Sequence, residues 1–225
     1  MKKNTFFVIM LACIALFVPT HSFSQGTFSG HLGLAIPSSS FADYNINNSD
    51  KIGAAALGLN LGIKYDYPLL ENGIGLFGEL NLNYNGLQKG FRREYDKGNA
   101  TNISYPQYLN IPISGGLSYT YSISDKVTLF SKGGLVFNFL KKTDFHNGAD
   151  ATYKSDPTYK FDMSTHLGYT LGVGAWLNSK IEFAITYLGL GEHQVNYEYN
   201  NGHNISYAHI KQDVGLITLT VGYKF

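Results

Sequence analysis

The sequence predicts an all-β protein: one eight-stranded antiparallel transmembrane β-barrel. Three observations predict it. Apolar and polar residues alternate in eight separate segments, which is the period of a strand with one greasy and one wet face. One parity of every segment is free of charge. The sequence also finishes on such a strand. Counting back in twos from Phe225 gives Tyr223, Val221, Leu219 and Ile217, with Lys224, Gly222, Thr220 and Thr218 between them. Chain ends tend to fray, but a barrel holds its last strand by pairing it with the first.

Residues 1–24 read as a secretory signal. Lys2 and Lys3 form a positive start, Phe6 to Val18 an uncharged and mostly apolar run, and Pro19 ends it. Ser22 and Ser24 are small residues placed for cleavage before Gln25. The run is shorter than the ~20 residues of a spanning helix. Met10-Leu11-Ala12-Cys13 gives a weak lipoprotein signature, but Cys13 sits in the middle of the apolar run. Cleavage would leave 25–225 as the barrel domain and remove the only cysteine, so the mature chain has no disulfide to form. It would also remove two of the 17 basic residues and none of the 16 acidic ones. A slightly acidic chain argues against nucleic acid as a partner.

The strands are expected near 27–36, 54–67, 74–84, 108–121, 127–140, 165–177, 181–189 and 207–225. The connections alternate long and short. Residues 37–53, 85–107, 141–164 and 190–206 are long; 68–73, 122–126 and 178–180 are tight turns. Short periplasmic turns and longer extracellular loops are the pattern of outer-membrane barrels. The apolar parity holds no Asp, Glu, Lys, Arg or His, and a charge there would cost ~2–4 kcal/mol at the bilayer midplane. Aromatic residues gather at both strand ends. Tyr65, Tyr67, Tyr119, Tyr121, Tyr223 and Phe225 lie toward the turns; Tyr84, Phe137, Phe139 and Tyr187 lie toward the loops. Two aromatic girdles are expected. The alternative fold is a soluble lipocalin-like barrel, whose apolar face would point inward.

The opposite parity is the expected interior. Phe77, Phe130, Val136, Trp176, Leu188 and Leu216 would fill it, with Gly58, Gly62, Gly116, Gly134, Gly172 and Gly174 making room. Its charges are Lys64, Asp66, Glu79, Lys132, Glu182 and Lys224, which sum to zero as a buried paired set should. Glu79 is expected to pair with Lys132 or with Lys64 across its own hairpin, and Glu182 with Lys224. Such a set serves either as a static tie or as a gate for small ions.

Outside the barrel wall the signals are thinner. Arg92 and Arg93, in Lys89-Gly-Phe-Arg-Arg-Glu-Tyr-Asp-Lys97, could grip lipopolysaccharide phosphates, although Glu94 and Asp96 offset them. His146, His193, His203 and His209 fall in or near loops, with Ser206 and Glu192 close by. Those residue types without a motif do not define a catalytic site. No spacing suggests a metal site or a cofactor.

The strand Tyr108-Leu-Asn-Ile-Pro-Ile113, the terminal Leu219-Thr-Val-Gly-Tyr-Lys-Phe225 and the signal ending before Gln25 together resemble a known family. It is the porin-like outer-membrane barrel family common in Bacteroidetes, related in fold to the small OmpA and OmpX barrels. The resemblance implies an integral outer-membrane protein in contact with lipid and lipopolysaccharide. It also implies that Tyr223 and Phe225 form the signal read by the barrel assembly machinery. Three roles fit, and none is enzymatic: a structural or surface-interaction protein acting through its extracellular loops on a ligand the sequence does not name, a narrow low-conductance channel, or an accessory component of a secretion or envelope machine.

Overall fold

The computed structural model describes residues 26–43, 53–95, 104–146, 158–200 and 204–225. The expected signal segment 1–24 lies outside them. Along the chain run β1 (Thr27–Ser38), a 3-10 turn (Ser39–Phe41), β2 (Ala55–Pro68), β3 (Ile74–Leu87), α1 (Lys89–Tyr95), β4 (Tyr108–Ser124) and β5 (Val127–Lys142). After these come β6 (Phe145–His146), β7 (Thr158–Phe161), β8 (Ser164–Leu177), β9 (Ile181–Asn200) and β10 (Ile205–Lys224). Eight of the strands form the barrel wall in the order β1-β2-β3-β4-β5-β8-β9-β10, every neighbour antiparallel. β10 pairs back onto β1 from Ser29↔Lys224 to Ser38↔Gly215, which closes the ring and removes the sheet edges.

The apolar parity faces outward. Leu32, Leu61, Leu117, Leu135, Leu171, Ile185 and Val221 are exposed around the whole circumference. Phe77, Phe130, Val136, Trp176, Leu188 and Leu216 are buried inside. This rules out the lipocalin arrangement. Among the described residues no helix is long and apolar enough to cross a membrane; the strands do the crossing.

Two elements depart from the sequence-based boundaries. β9 and β10 do not stop near 189 and 207 but continue as a paired hairpin to Asn200 and Ile205. The supposed loop 190–206 is therefore mostly sheet. The pairing shifts register once, where Val214 faces Gly191 and Gly215 faces Gly189, so Leu190 is an extra residue in β9. That bulge inverts the parity of β9: Leu188 points inward below it, His193 and Val195 above it. A period-two reading necessarily loses the strand at this point. Gly191 has φ +79°, and a Cβ there would strike the His166 ring, so the bulge needs glycine twice over. The third long connection also gains structure, as β6 pairs with β7 and β7 adds to the outer half of β9.

A membrane crossing takes ~9–11 residues of strand, and β9 and β10 have 20 each. On β9 the outward side chains change from Phe183 and Ile185 to Gln194 and Asn196 beyond the bulge. The upper half of the β9–β10 hairpin therefore stands above the apolar band, on the loop side, with β7 along its flank.

Candidate functional site

The interior is built in layers. Nearest the periplasmic turns, Phe130, Trp176 and Ala184 form a small apolar cluster. Lys64 projects among them, its ammonium 4.6 Å from the Phe130 ring centre and 4.8 Å from that of Trp176. It is 2.7 Å from the Glu182 carboxylate and 3.2 Å from Asp66. Lys64 and Glu182 are each only 2% exposed, so little water screens the pair. One level higher, Lys132 makes a short ion pair with Glu79. Asn81 donates to Glu79 at 2.9 Å, and His31 lies 3.6 Å from the same carboxylate.

All six expected interior charges lie on the inward parity, but the pairing corrects two expectations. Lys64 and Glu79 are register partners across the β2–β3 hairpin, yet Lys64 bonds to Glu182 of β9, reaching past β1 and β10. Glu182 sits opposite Gly222, and the Lys224 ammonium lies instead 5.5 Å over the Trp176 ring. The Glu79–Lys132 pair forms as expected. Such pairs are favoured because a lysine stem is long enough to bridge a narrow barrel. A same-hairpin pair would leave the Glu182 carboxylate buried alone.

Above the charges lies a band of amides that strand patterning alone did not single out as a unit. Asn60 donates to Asn81 and Asn83 at 3.1 and 2.8 Å, and Asn138 donates to Asn110 at 2.9 Å. The signal was present in Glu79-Leu-Asn-Leu-Asn-Tyr-Asn85, a stretch whose inward residues after Glu79 are all asparagine, before the strand ends on inward Leu87. Gly62 makes this layer possible, since a Cβ there would overlap the His31 ring and the Asn81 amide. Orphaned polar atoms remain buried here, among them His31 Nδ1, Asn60 Oδ1 and Asn83 Nδ2, a setting suited to internal water.

The extracellular half holds a large apolar cluster that includes Phe41, Tyr108, Val136, Leu140, Leu188 and Leu216. Tyr108 spans it and donates to the Gly53 carbonyl at 2.7 Å. Aromatic and apolar residues thus occupy the interior near both ends of the barrel.

His193 lies at this upper level, wholly buried. Its Nδ1 is 3.3 Å from Ser164 Oγ, and its Nε2 is 3.1 Å from Asn138 Nδ2. Both ring nitrogens are thus within hydrogen-bond reach of a side chain, Nδ1 of Ser164 and Nε2 of Asn138. Burial and the nearby His166 hold the His193 pKa down to about 4. A depressed histidine pKa contributes stability that is complete above about 6.5, the unfolded value, and falls away as pH drops toward 4. The thermal midpoint in detergent is expected to fall through that window, and to fall less in His193→Gln; equal slopes would contradict it.

Arg92, in α1, turns back onto the protein, its guanidinium 5.3 Å over the Tyr105 ring. The side chains of Arg93 and His146, with His203 and the loop residues 147–157, lie outside the described residues. Phe225 is 82% exposed; its N–H bonds to the Phe28 carbonyl at 2.9 Å and its ring meets Tyr223. Among the described residues no cluster of His, Cys, Asp or Glu could hold a metal ion.

A closed antiparallel barrel with an apolar exterior and a polar, charge-paired interior defines a class: the membrane-spanning barrels of bacterial outer membranes. The chain belongs to the outer membrane protein beta-barrel domain family, whose model matches residues 8–225. No curated protein matches the sequence. Among solved structures, a major outer membrane protein from Thermus thermophilus superposes with a TM-score of 0.56 at 15% identity, covering 89% of this chain and 99% of that one. OprG from Pseudomonas aeruginosa gives 0.47 at 18% identity, covering 89% and 96%. Neisserial surface protein A gives 0.46 at 15% identity, covering 88% and 95%. The first of these supports the fold, and the family places the protein in the outer membrane.

Proposed function

We propose that this barrel is a surface-contact protein, anchored by its transmembrane wall and working through the β7–β9–β10 sheet that stands above the bilayer. One observation carries the reading: the β9–β10 hairpin extends well beyond the length a crossing needs, above an interior packed with buried clusters. The extension exposes Ile205 at 55% and Tyr207 at 77% of their surface. Large side chains held above a membrane favour contact with something outside. Phosphates of lipopolysaccharide would meet the second loop, where Arg92 and Arg93 sit. An accessory part in an envelope machine would use the same surface.

The amide layer favours a second reading, a narrow conduit. Buried amides and orphaned polar atoms suit a file of water. The apolar cluster above and the Trp176–Phe130–Lys64 layer below argue that such water is trapped.

Refolded protein in planar bilayers is expected to show no sustained openings. Cells displaying the protein are expected to gain adhesion to immobilised cell-surface material. Shortening the hairpin between residues 194 and 211 to a tight turn should remove that gain while the barrel still folds. Stable conductance steps, with adhesion unaffected by the trimming, would move the assignment to a channel.

A further inference from the structure

We propose that the outward face of the extracellular sheet is a binding site for a neutral, hydroxyl-rich saccharide. The proposal deepens the surface-contact reading and rests on it. Three strands contribute. Register sets Lys160 of β7, Glu198 of β9 and Tyr207 of β10 abreast in one row. Asn196 and His209 are abreast in the next, with Asp162 beside Asn196 through a 2.9 Å backbone bond. Rows on one face of a strand recur about every 6.8 Å, which leaves a trough about one sugar ring wide. These six residues line a cavity of about 520 Å³.

The chemistry selects the ligand. Tyr207 offers an uncovered ring, apolar on its face and polar at its tip, to stack on the C–H face of a pyranose. Asn196 supplies a donor and an acceptor in one plane, and Asp162 and Glu198 supply acceptors. That is the equipment for grasping neighbouring hydroxyls. Charge excludes the polyanionic alternatives. Lys160 is already 3.7 Å from Glu198, and two carboxylates against one ammonium repel sulfate or phosphate groups. A protein partner would need a broad patch of roughly 800 Å² per side with an apolar centre. Ile205 and Tyr207 are too few to make one.

The site is also held in place. On the reverse face, Tyr159 stacks against Tyr197 and Tyr199 with ring centres 5.9 and 4.8 Å apart, and Phe161 packs on Tyr197 at 5.9 Å. This aromatic cluster pins β7 to β9, so the outward row is ordered before any ligand arrives and binding does not have to order it.

The test uses the full mature chain folded in lipid nanodiscs, applied to immobilised neutral hexose and N-acetylhexosamine oligosaccharides beside heparin-like sulfated ones. Binding to one or more neutral oligosaccharides is expected. It should weaken at least tenfold in Tyr207→Ala and in Asn196→Ala, and persist in Tyr207→Trp. Heat-modifiable gel migration confirms that each variant is folded. Binding only to the sulfated probes, equal binding by Tyr207→Ala, or no binding at all would overturn the proposal. The cell-adhesion assay separates the two levels: adhesion that depends on the hairpin, without saccharide binding, removes the saccharide and keeps the contact surface. Absence of both removes both.

Discussion

Glu182→Ala is expected to destabilise the folded barrel by about 3–5 kcal/mol, the cost of breaking a buried ion pair from one side. The substitution removes little packing but leaves the Lys64 ammonium 2% exposed, with the partly exposed Asp66 as its remaining ion-pair partner and Glu79, itself paired with Lys132, farther off. The stacked rings of Phe130 and Trp176 offset part of that charge, so the lower end of the range applies if the lysine can tilt toward Asp66. Glu182→Gln should cost less, because the amide oxygen still accepts from Lys64. The double variant Lys64→Met with Glu182→Leu should recover most of the loss, since an apolar replacement of both partners removes the desolvation cost along with the attraction. Trp176 is the single tryptophan and touches this site, so its fluorescence during urea unfolding reads the effect directly. A double variant no more stable than Glu182→Ala would show that the pair is needed for more than mutual neutralisation.

The legibility of this molecule follows from what a barrel demands locally and what it demands globally. Which side of each strand meets lipid is a local demand. The bilayer tolerates no charge there, so Leu59, Leu61 and Ile63 declare the outside of β2 and Asn60, Gly62 and Lys64 its inside. Who pairs with whom inside is a global matter. Lys64 reaches Glu182 only because the β1–β10 closure leaves just two strands between β2 and β9, and no spacing in the sequence encodes that distance. The bulge at Leu190 defeated the pattern for another reason. One extra residue inverts the alternation, and an inverted strand looks like the start of a loop. That single inversion hid the upper half of the hairpin, and with it the row of Lys160, Glu198 and Tyr207. The asparagine layer was visible residue by residue, but strand propensity disfavours asparagine. Its meaning as a hydrogen-bonded stratum emerges only when four strands, β2 to β5, are laid side by side.

Deleting Phe225 is expected to cut the amount of folded protein in the outer membrane more than removal of any one loop, while changing the stability of the protein that does fold only slightly. The second half of that expectation comes from the structure. The pairing of β10 with β1 is complete through Ser29↔Lys224, and Phe225 adds one backbone bond to Phe28 and an edge contact with Tyr223. Its ring is 82% exposed and fills no part of the interior. A residue so lightly used by the fold, placed at the foot of the closing strand, is better explained by a reader that meets the strand before closure. On that view the outward row Val221, Tyr223 and Phe225 is presented to the assembly machinery as an unpaired edge and becomes lipid-facing afterwards. The separation of the two effects is the test. Urea-unfolded protein lacking Phe225 should refold into detergent or short-chain lipid vesicles nearly as well as the complete chain, judged by heat-modifiable migration. In cells the same deletion should leave little folded barrel in the membrane fraction. Equal loss in both settings would assign Phe225 to the fold itself, and normal levels in cells would end the case for recognition.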